Sequence, residues 1–434
     1  MVSADENTFD AVVVGAGPAG TSAAAVLAER GKRVIMLERL PVPRYRVGES
    51  LIPYCWFPLR RLGLVEKLDA SSFIVRKHSV QFVGTDGERT TPFYFREHTD
   101  HDCARTWQVR RPDFDELLLA NALERGAAVS RRTTARELIR ERGAVAGVRA
   151  GVSGGGGTGD ERLVEFRAPL TIDASGRDLF AVTRQDWRVP DAKLRKIAIW
   201  TYYEGAKRDA GVDEGATTVA YLPGKGWFWY IPLPETIVSV GVVAERDYLY
   251  RGERDPDAIF EREVALQPWV AAHLAPGRKR EACRVTGDYS YRARHCAADG
   301  LVLAGDAFAF LDPVFSSGVF LALSSGVRAG DAAADALDAA DCSAARFAEY
   351  GRRFCRDLEA MRRLVYAFYD TSFSFGALHR DRPDLRPDLT DVLIGNFEGD
   401  LEPLFEAAGR VADIPGPLAH GAPLERAPEA GGAA

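Results

Sequence analysis

The sequence predicts an α/β fold: a Rossmann-like dinucleotide-binding domain, an inserted and mostly antiparallel sheet, and helices toward the C-terminal end. Three observations predict it. An apolar run over residues 9–14 leads straight into Gly15-Ala16-Gly17-Pro18-Ala19-Gly20. Two later apolar runs, Leu170-Thr171-Ile172-Asp173 and Leu301-Val302-Leu303-Ala304-Gly305-Asp306, each end in an aspartate beside small residues. Residues 77–105 and 194–282 alternate apolar with polar, the period of a half-buried sheet.

The N-terminal unit reads as strand, helix and strand. Residues 9–14 form the first strand and 21–30 the helix, Gly31 stops it, and 33–37 form a second strand ending in Glu38. The G-x-G-x-x-G turn sits at the first strand–helix junction. Gly15 allows the tight turn, Gly17 lets the backbone approach a pyrophosphate, and Gly20 lets helix and strand pack closely. Ala16, Pro18 and Ala19 complete the turn, whose helix end offers amides to phosphate. Glu38 lies eighteen residues past Gly20, where a carboxylate can take a ribose hydroxyl. No second complete fingerprint with a trailing acid follows, which argues against a resident nicotinamide domain.

Composition narrows the class. A chain of 434 residues is long enough for two or three domains, and 46% hydrophobic with 27% charged residues is ordinary for a soluble protein. The net charge of −6 points to neither nucleic acid nor an anionic membrane as partner. Polar Asp5, Glu6 and Asn7 precede the first strand and no run of eighteen apolar residues follows, so neither a secretory signal nor a membrane span is expected and the protein is placed in the cytoplasm. The six cysteines form no C-x-x-C pair and read as reduced, mostly buried thiols. His98, Asp100, His101, Asp102 and Cys103 crowd together, but their spacing matches no metal site, and no metal is expected.

Residues 77–103 with 191–282 are expected to make the inserted sheet. Residues 339–414 are helical, with Phe347, Tyr350, Phe354, Leu358, Met361 and Val365 at helical spacing along 344–369. Gly154 to Gly157 reads as a hairpin tip, and 415–434, rich in Pro, Gly and Ala, as a disordered tail.

Longer motifs add a resemblance. The Gly305-Asp306 strand end resembles that of the FAD-dependent two-dinucleotide-motif oxidoreductases, a glutathione-reductase-type fold related to the aromatic hydroxylases. Arg46-Val47-Gly48-Glu49-Ser50-Leu51-Ile52-Pro53 resembles the R-x-G-E-S segment of flavin-dependent halogenases. Gly226-Trp227-Phe228-Trp229-Tyr230-Ile231-Pro232 contains their W-x-W-x-I-P signature. Leu311-Asp312-Pro313-Val314-Phe315-Ser316-Ser317-Gly318-Val319 resembles their flavin-facing loop, and Val109-Arg110-Arg111-Pro112-Asp113-Phe114-Asp115 their V-x-R-x-x-F-D segment. On these motifs the chain is identified as a member of that family, of the phenol/pyrrole type. The stretches flanking the inserted sheet, 1–76, 104–190 and 283–338, are joined by what this resemblance implies into one discontinuous dinucleotide domain.

The resemblance implies FAD held by Gly15, Ala16, Gly17, Pro18, Ala19, Gly20, Glu38, Arg46, Ser50, Arg111, Gly305, Asp306 and Gly318, with halide on the amides of Ser317 and Gly318. It implies Lys77 as the catalytic amine, with Trp227 and Trp229 beside the flavin hindering direct oxygen transfer. The chemistry implied uses FADH2 from a separate flavin reductase, O2, and chloride or bromide. A flavin C4a-hydroperoxide gives hypohalous acid, which a lysine directs to an electron-rich phenol, pyrrole or indole-like ring in natural-product biosynthesis. A carrier protein bearing the substrate is a further implied partner. The residues also admit plainer readings. Trp227, Trp229 and Ile231 suit the buried side of any strand. Lys77 suits a strand edge, and Ser316 or Ser317 an ordinary helix N-cap. The phenylalanine before Lys77 is displaced by one residue and His78-Ser79-Val80 departs from the family pattern. That departure keeps open a related monooxygenase or a geranylgeranyl-reductase-like enzyme that does not halogenate, and, more distantly, a flavin-bearing binding module.

Overall fold

The computed structural model describes residues 7–40, 47–153, 161–224, 226–287 and 290–425. Its centre is a sheet in the order Ala297–Ala298, Leu301–Leu303, Leu170–Asp173, Ala11–Val14, Val34–Glu38, Ala128–Arg131. Ala11–Val14 pairs in parallel with Val34–Glu38 on one side and Leu170–Asp173 on the other. All three are buried throughout, which is why they read as continuous apolar runs. Helix Pro18–Glu29 covers one face and packs on Gly318–Asp338 and Arg111–Glu124. The edge strand Ala128–Arg131 is exposed or half-buried and carries no apolar run, so periodicity does not reveal it.

A three-stranded antiparallel sheet, Thr133–Glu141, Ala144–Ser153 and Glu161–Arg167, branches from this core. The expected hairpin tip at Gly154 to Gly157 lies outside the described residues.

The inserted sheet runs in the order Arg278–Lys279, Lys196–Glu204, Ile237–Glu245, Gly226–Pro232, Thr217–Leu222, Ser79–Val83, Phe93–Tyr94. Its pairs are antiparallel except Thr217–Leu222 with Ser79–Val83. Strand alternation gives it two faces. Phe228, Tyr230, Ile199, Val240 and Val242 form an outer core with Phe260, Val270 and Leu274 of helices Pro256–Val264 and Pro268–Leu274. Trp227, Trp229, Ile231, Trp200 and Val243 face the other way and join the main core.

Three expected boundaries are corrected. Lys77 ends a strand, Ile74–Lys77, that pairs with Thr106–Val109, so the 76/77 division cuts through a ribbon. Arg284–Gly287 pairs with Lys196–Glu204, so the chain stays with the inserted sheet past Cys283. The tail from Pro415 is ordered as far as 425: Gly421 and Leu424 donate backbone hydrogen bonds to Arg294 and Ala297 at 2.8 Å, because that segment offers free carbonyls along its edge.

The C-terminal helices follow the expected stripe. Helix Ala348–Tyr369 is entered through a 3-10 turn, Ala344–Phe347; the stripe residue Phe347 of the turn and the five in the helix are buried. Helix Arg386–Ile394 is tied back by His98 Nε2 to Asp391 at 2.7 Å, which accounts for one of the crowded histidines. His101 Nδ1 accepts the Cys103 amide, and no metal-binding cluster occurs among the described residues. No helix there is long and apolar enough to cross a membrane. The cysteines are free; burial pushes the Cys55 and Cys296 thiols up to about 12, which disfavours the nucleophilic thiolate.

Phe260 is fully buried on the outer face, edge-on to Phe228 at 5.9 Å. Phe260→Ala is expected to cost about 3–5 kcal/mol, read from the denaturant midpoint, with dinucleotide binding retained because the outer face is remote from the cavity.

Candidate active site

A cavity of about 680 Å³ lies between the ends of the parallel strands and the inner face of the inserted sheet. Its lining includes Gly15, Gly17, Pro18, Ala19 and Glu38 of the fingerprint unit, Gly48, Glu49, Ser50 and Arg111, Trp227 and Trp229 of the inserted sheet, and Ala174, Asp306 and Gly318. This is where the carboxyl ends of an open parallel sheet leave a crevice for a ligand.

The fingerprint turn is built by close contacts. Gly15 has φ +97°, and a Cβ on it would stand 2.5 Å from the Ala174 carbonyl oxygen. A Cβ on Gly20 would stand 1.9 Å from the Gly15 oxygen, so only glycine lets the helix start here. The Ala16 amide donates to Glu38 Oε2 at 3.0 Å and the Leu40 amide to Oε1 at 2.9 Å, which fixes the carboxylate at the second strand's end. The Gly305 amide donates to Ser325 Oγ at 2.9 Å, presenting Asp306 on the cavity wall. An anion-receiving turn, the carboxylates of Glu38 and Asp306 on the wall and one continuous cavity together fit FAD.

Most expected residues converge here. Gly15, Gly17, Pro18, Ala19, Glu38, Ser50, Arg111, Asp306, Gly318, Trp227 and Trp229 line the cavity, with Ala16, Gly20 and Gly305 directly behind. Arg46 lies outside the described residues. Arg111 is spent on the wall itself: it pairs with Asp115 at 3.1 Å and donates to the Val47 carbonyl at 2.9 Å, holding the loop before Glu49. Ser317 is buried while Ser316, at φ +57°, takes the place on the wall. Ser317 is the N-cap residue of Gly318–Asp338 but makes no side-chain capping bond.

Lys77 stands one layer back. It is 2% exposed and does not line the cavity. Its Nζ donates to Ser50 Oγ at 2.9 Å and to the Leu51 carbonyl at 3.1 Å, and lies 5.7 Å from the Phe95 ring centroid. Ser50 Oγ is 2.8 Å from Thr217 Oγ1, and both hydroxyl residues line the cavity. The amine is therefore linked to the cavity through Ser50, and the strand-edge reading of a solvated lysine is excluded. Among the described residues no carboxylate pairs with it, and burial pushes its ammonium down to about 7.

Two residues of the site, Ser239 and Tyr202, carried no sequence signal. The Trp229 indole donates to Ser239 Oγ at 3.1 Å, and Ser239 in turn reaches Glu49 Oε2 at 3.5 Å. Tyr202 donates to Glu49 Oε1 at 2.6 Å. Burial pushes the Glu49 carboxyl up to about 7, against the pull of the Arg111 guanidinium. Gly241 sits across from Trp229 on the next strand, and a Cβ there would meet the indole at 2.4 Å. An isolated glycine inside a strand is a sign of such a close approach, and Gly241 had that sign in Ser239-Val240-Gly241-Val242.

Two outcomes follow from this geometry. Gly241→Ala should displace the Trp229 indole and lower stability by about 1–3 kcal/mol in thermal or denaturant melts. Lys77→Met should raise the melting temperature. The folded pKa lies below the ordinary 10.5, so the fold carries the full penalty of a buried charge below about pH 7 and loses it as pH rises toward 10.5. The gain should be largest below pH 7 and vanish near 10.5; a gain that grows with pH would contradict the assignment.

The comparisons with known proteins agree with the geometry. Residues 10–103 and 95–375 match the model of the tryptophan halogenase family. The chain is 29% identical over 396 residues to the 1H-pyrrole-2-carbonyl-[peptidyl-carrier protein] brominase of Pseudoalteromonas luteoviolacea, covering 89% of this chain and 92% of the relative. It is 32% identical over 367 residues to the tryptophan 2-halogenase of Chondromyces crocatus, covering 83% of this chain and 68% of that one. The solved structure of the flavin-dependent brominase Bmp2 superposes with a TM-score of 0.82 at 28% identity, over 93% of this chain and 98% of that one. The chain thus belongs to the flavin-dependent halogenases, enzymes that use FAD, O2 and halide.

Proposed function

We propose that this enzyme places chlorine or bromine on an electron-rich aromatic ring of the pyrrole, phenol or indole class, presented on a carrier protein, and that a separate cytoplasmic flavin reductase supplies its FADH2. The carrier-bound pyrrole brominase, which aligns with nearly the whole chain, supports the substrate class. The observation that carries the reading is Lys77, a buried amine with no carboxylate partner among the described residues, one hydroxyl behind the cavity wall.

When bound in reduced form, FAD supplies the two electrons with which O2 converts halide to hypohalous acid. The protein does the rest. The turn of Gly15 to Gly20 and the carboxylates of Glu38 and Asp306 hold the cofactor. Ser317 and Gly318 open a 21-residue helix whose positive end suits a halide. Trp227 and Trp229 line the cavity, where they would hinder direct oxygen transfer to the organic substrate. With a pKa near 7, Lys77 offers both its forms at neutral pH. The ammonium acts from behind the wall: it donates to Ser50 Oγ, whose own hydroxyl can then donate to the oxygen of hypohalous acid in the cavity. The ring carbon gains the halogen and releases its proton, and the oxygen leaves as water.

The test mixes the enzyme, loaded with anaerobically reduced FAD, with O2, bromide, and a carrier bearing a pyrrole-2-carbonyl group. Bromide-dependent ring bromination is expected, and Lys77→Ala should lower it by about 100-fold or more at unchanged flavin content. A wild type that yields only hydrogen peroxide or hydroxylated ring would overturn the proposal.

A further inference from the structure

The first signature tryptophan, Trp227, is tethered like Trp229, through Tyr369, which lies outside every motif, and Asp312 of the 311–319 segment. Trp227 Nε1 donates to Tyr369 Oη at 2.8 Å, and Tyr369 donates to Asp312 Oδ2 at 2.8 Å. The direction of this chain is forced. An indole nitrogen can only donate, a phenol can accept one bond and donate another, and an ionised carboxylate can only accept. The same carboxylate accepts the Val314 amide through Oδ1 at 3.2 Å, and the Asp312 amide donates to Ser290 Oγ at 3.1 Å.

Asp312 therefore joins three separate parts of the molecule. Trp227 belongs to strand Gly226–Pro232, Tyr369 is the last residue of helix Ala348–Tyr369, and Val314 lies in the turn Pro313–Phe315 that leads to Ser316 and Gly318. Trp227, Val314, Ser316 and Gly318 all line the cavity, whereas Asp312 and Tyr369 do not. Asp312 is 1% exposed, and burial pushes its carboxyl up to about 6. The Lys196 ammonium pulls the other way on that carboxyl; its Nζ lies 4.5 Å from the Tyr369 ring centroid and pairs with Glu245 at 3.2 Å.

We propose that Tyr369 and Asp312 are positioning residues that hold the Trp227 indole and the halide-side loop 313–318 in fixed register across the cavity. They act through Trp227 and the Val314 amide and touch no reacting atom. The inference rests on the halogenase reading for what the register achieves: it keeps the oxidising equivalents of O2 passing to halide instead of being lost as hydrogen peroxide. The hydrogen-bond chain itself can be tested without that reading.

The first readout is the indole N–H spectrum of the full-length protein labelled with 15N at tryptophan, with the Trp227 signal assigned from Trp227→Phe. Tyr369→Phe, which removes one oxygen, should move that signal upfield. Asp312→Asn should move it in the same direction by less, because an amide oxygen still accepts from Tyr369. Tyr202→Phe, on the Trp229 side, should leave it in place. The second readout is turnover with reduced FAD, O2 and bromide. Tyr369→Phe should raise hydrogen peroxide per brominated product by about two- to tenfold, the factor one buried hydrogen bond is worth, without raising the KM for bromide. Asp312→Ala, which also frees the Val314 amide, should raise both. A Trp227 signal unmoved by Tyr369→Phe would overturn the proposal whatever the enzyme's activity. So would an unchanged peroxide ratio in an enzyme that brominates. A wild type that does not brominate would overturn the halogenase reading instead, and the spectrum would still decide the tether.

Discussion

Successive side chains of a strand must face opposite ways, and in Gly226–Pro232 that alternation decides where the chemistry can stand. Phe228 and Tyr230 anchor the outer face against Phe260 and its neighbours. That anchoring leaves Trp227, Trp229 and Ile231 with only the inner face, against the cavity. A one-residue slip in register would exchange the two sets and empty the site. The antiparallel pairing with Ile237–Glu245 pins the register, and Gly241 accommodates the indole where the two strands meet.

Placing large polar-tipped side chains in that position creates a second requirement. A buried indole N–H or amine without a partner is costly, and the protein meets each with a hydroxyl: Ser239 for Trp229, Tyr369 for Trp227, Ser50 for Lys77. Two of the three chains end in a buried carboxylate, Glu49 or Asp312. The third does not, and Lys77 is left as an amine whose charge the fold disfavours. A group that weakens the fold while standing beside a cofactor cavity is better explained by reactivity than by packing.

Much of this was legible in the sequence, for identifiable reasons. The parallel core shows because strands buried on both faces read as unbroken apolar runs, and the fingerprint shows because its glycines are demanded by contacts inside one short segment. The two tryptophans show because strand period is local. What was hidden depends on contacts between distant parts of the chain. Glu49 meets Tyr202, and Trp227 meets Tyr369, across more than 140 residues of sequence. Arg111 lines the cavity, and its bonds to Asp115 and Val47 show only in the folded loop. Residues 415–425 read as unstructured because they are held by distant partners, the backbone of 294–297 and the guanidinium groups of Arg292 and Arg362, and not by their own side chains.

The central claim is that one continuous cavity holds the cofactor with its reactive end between the tryptophan face and the start of helix Gly318–Asp338. The most direct measurement is a crystal structure of the FAD complex soaked in bromide, read from the anomalous signal of the halide. The account predicts the flavin ring between Trp227 and Gly318 and a bromide peak at the Ser317 and Gly318 amides. A ring bound elsewhere, or bromide only on surface arginines, would contradict it.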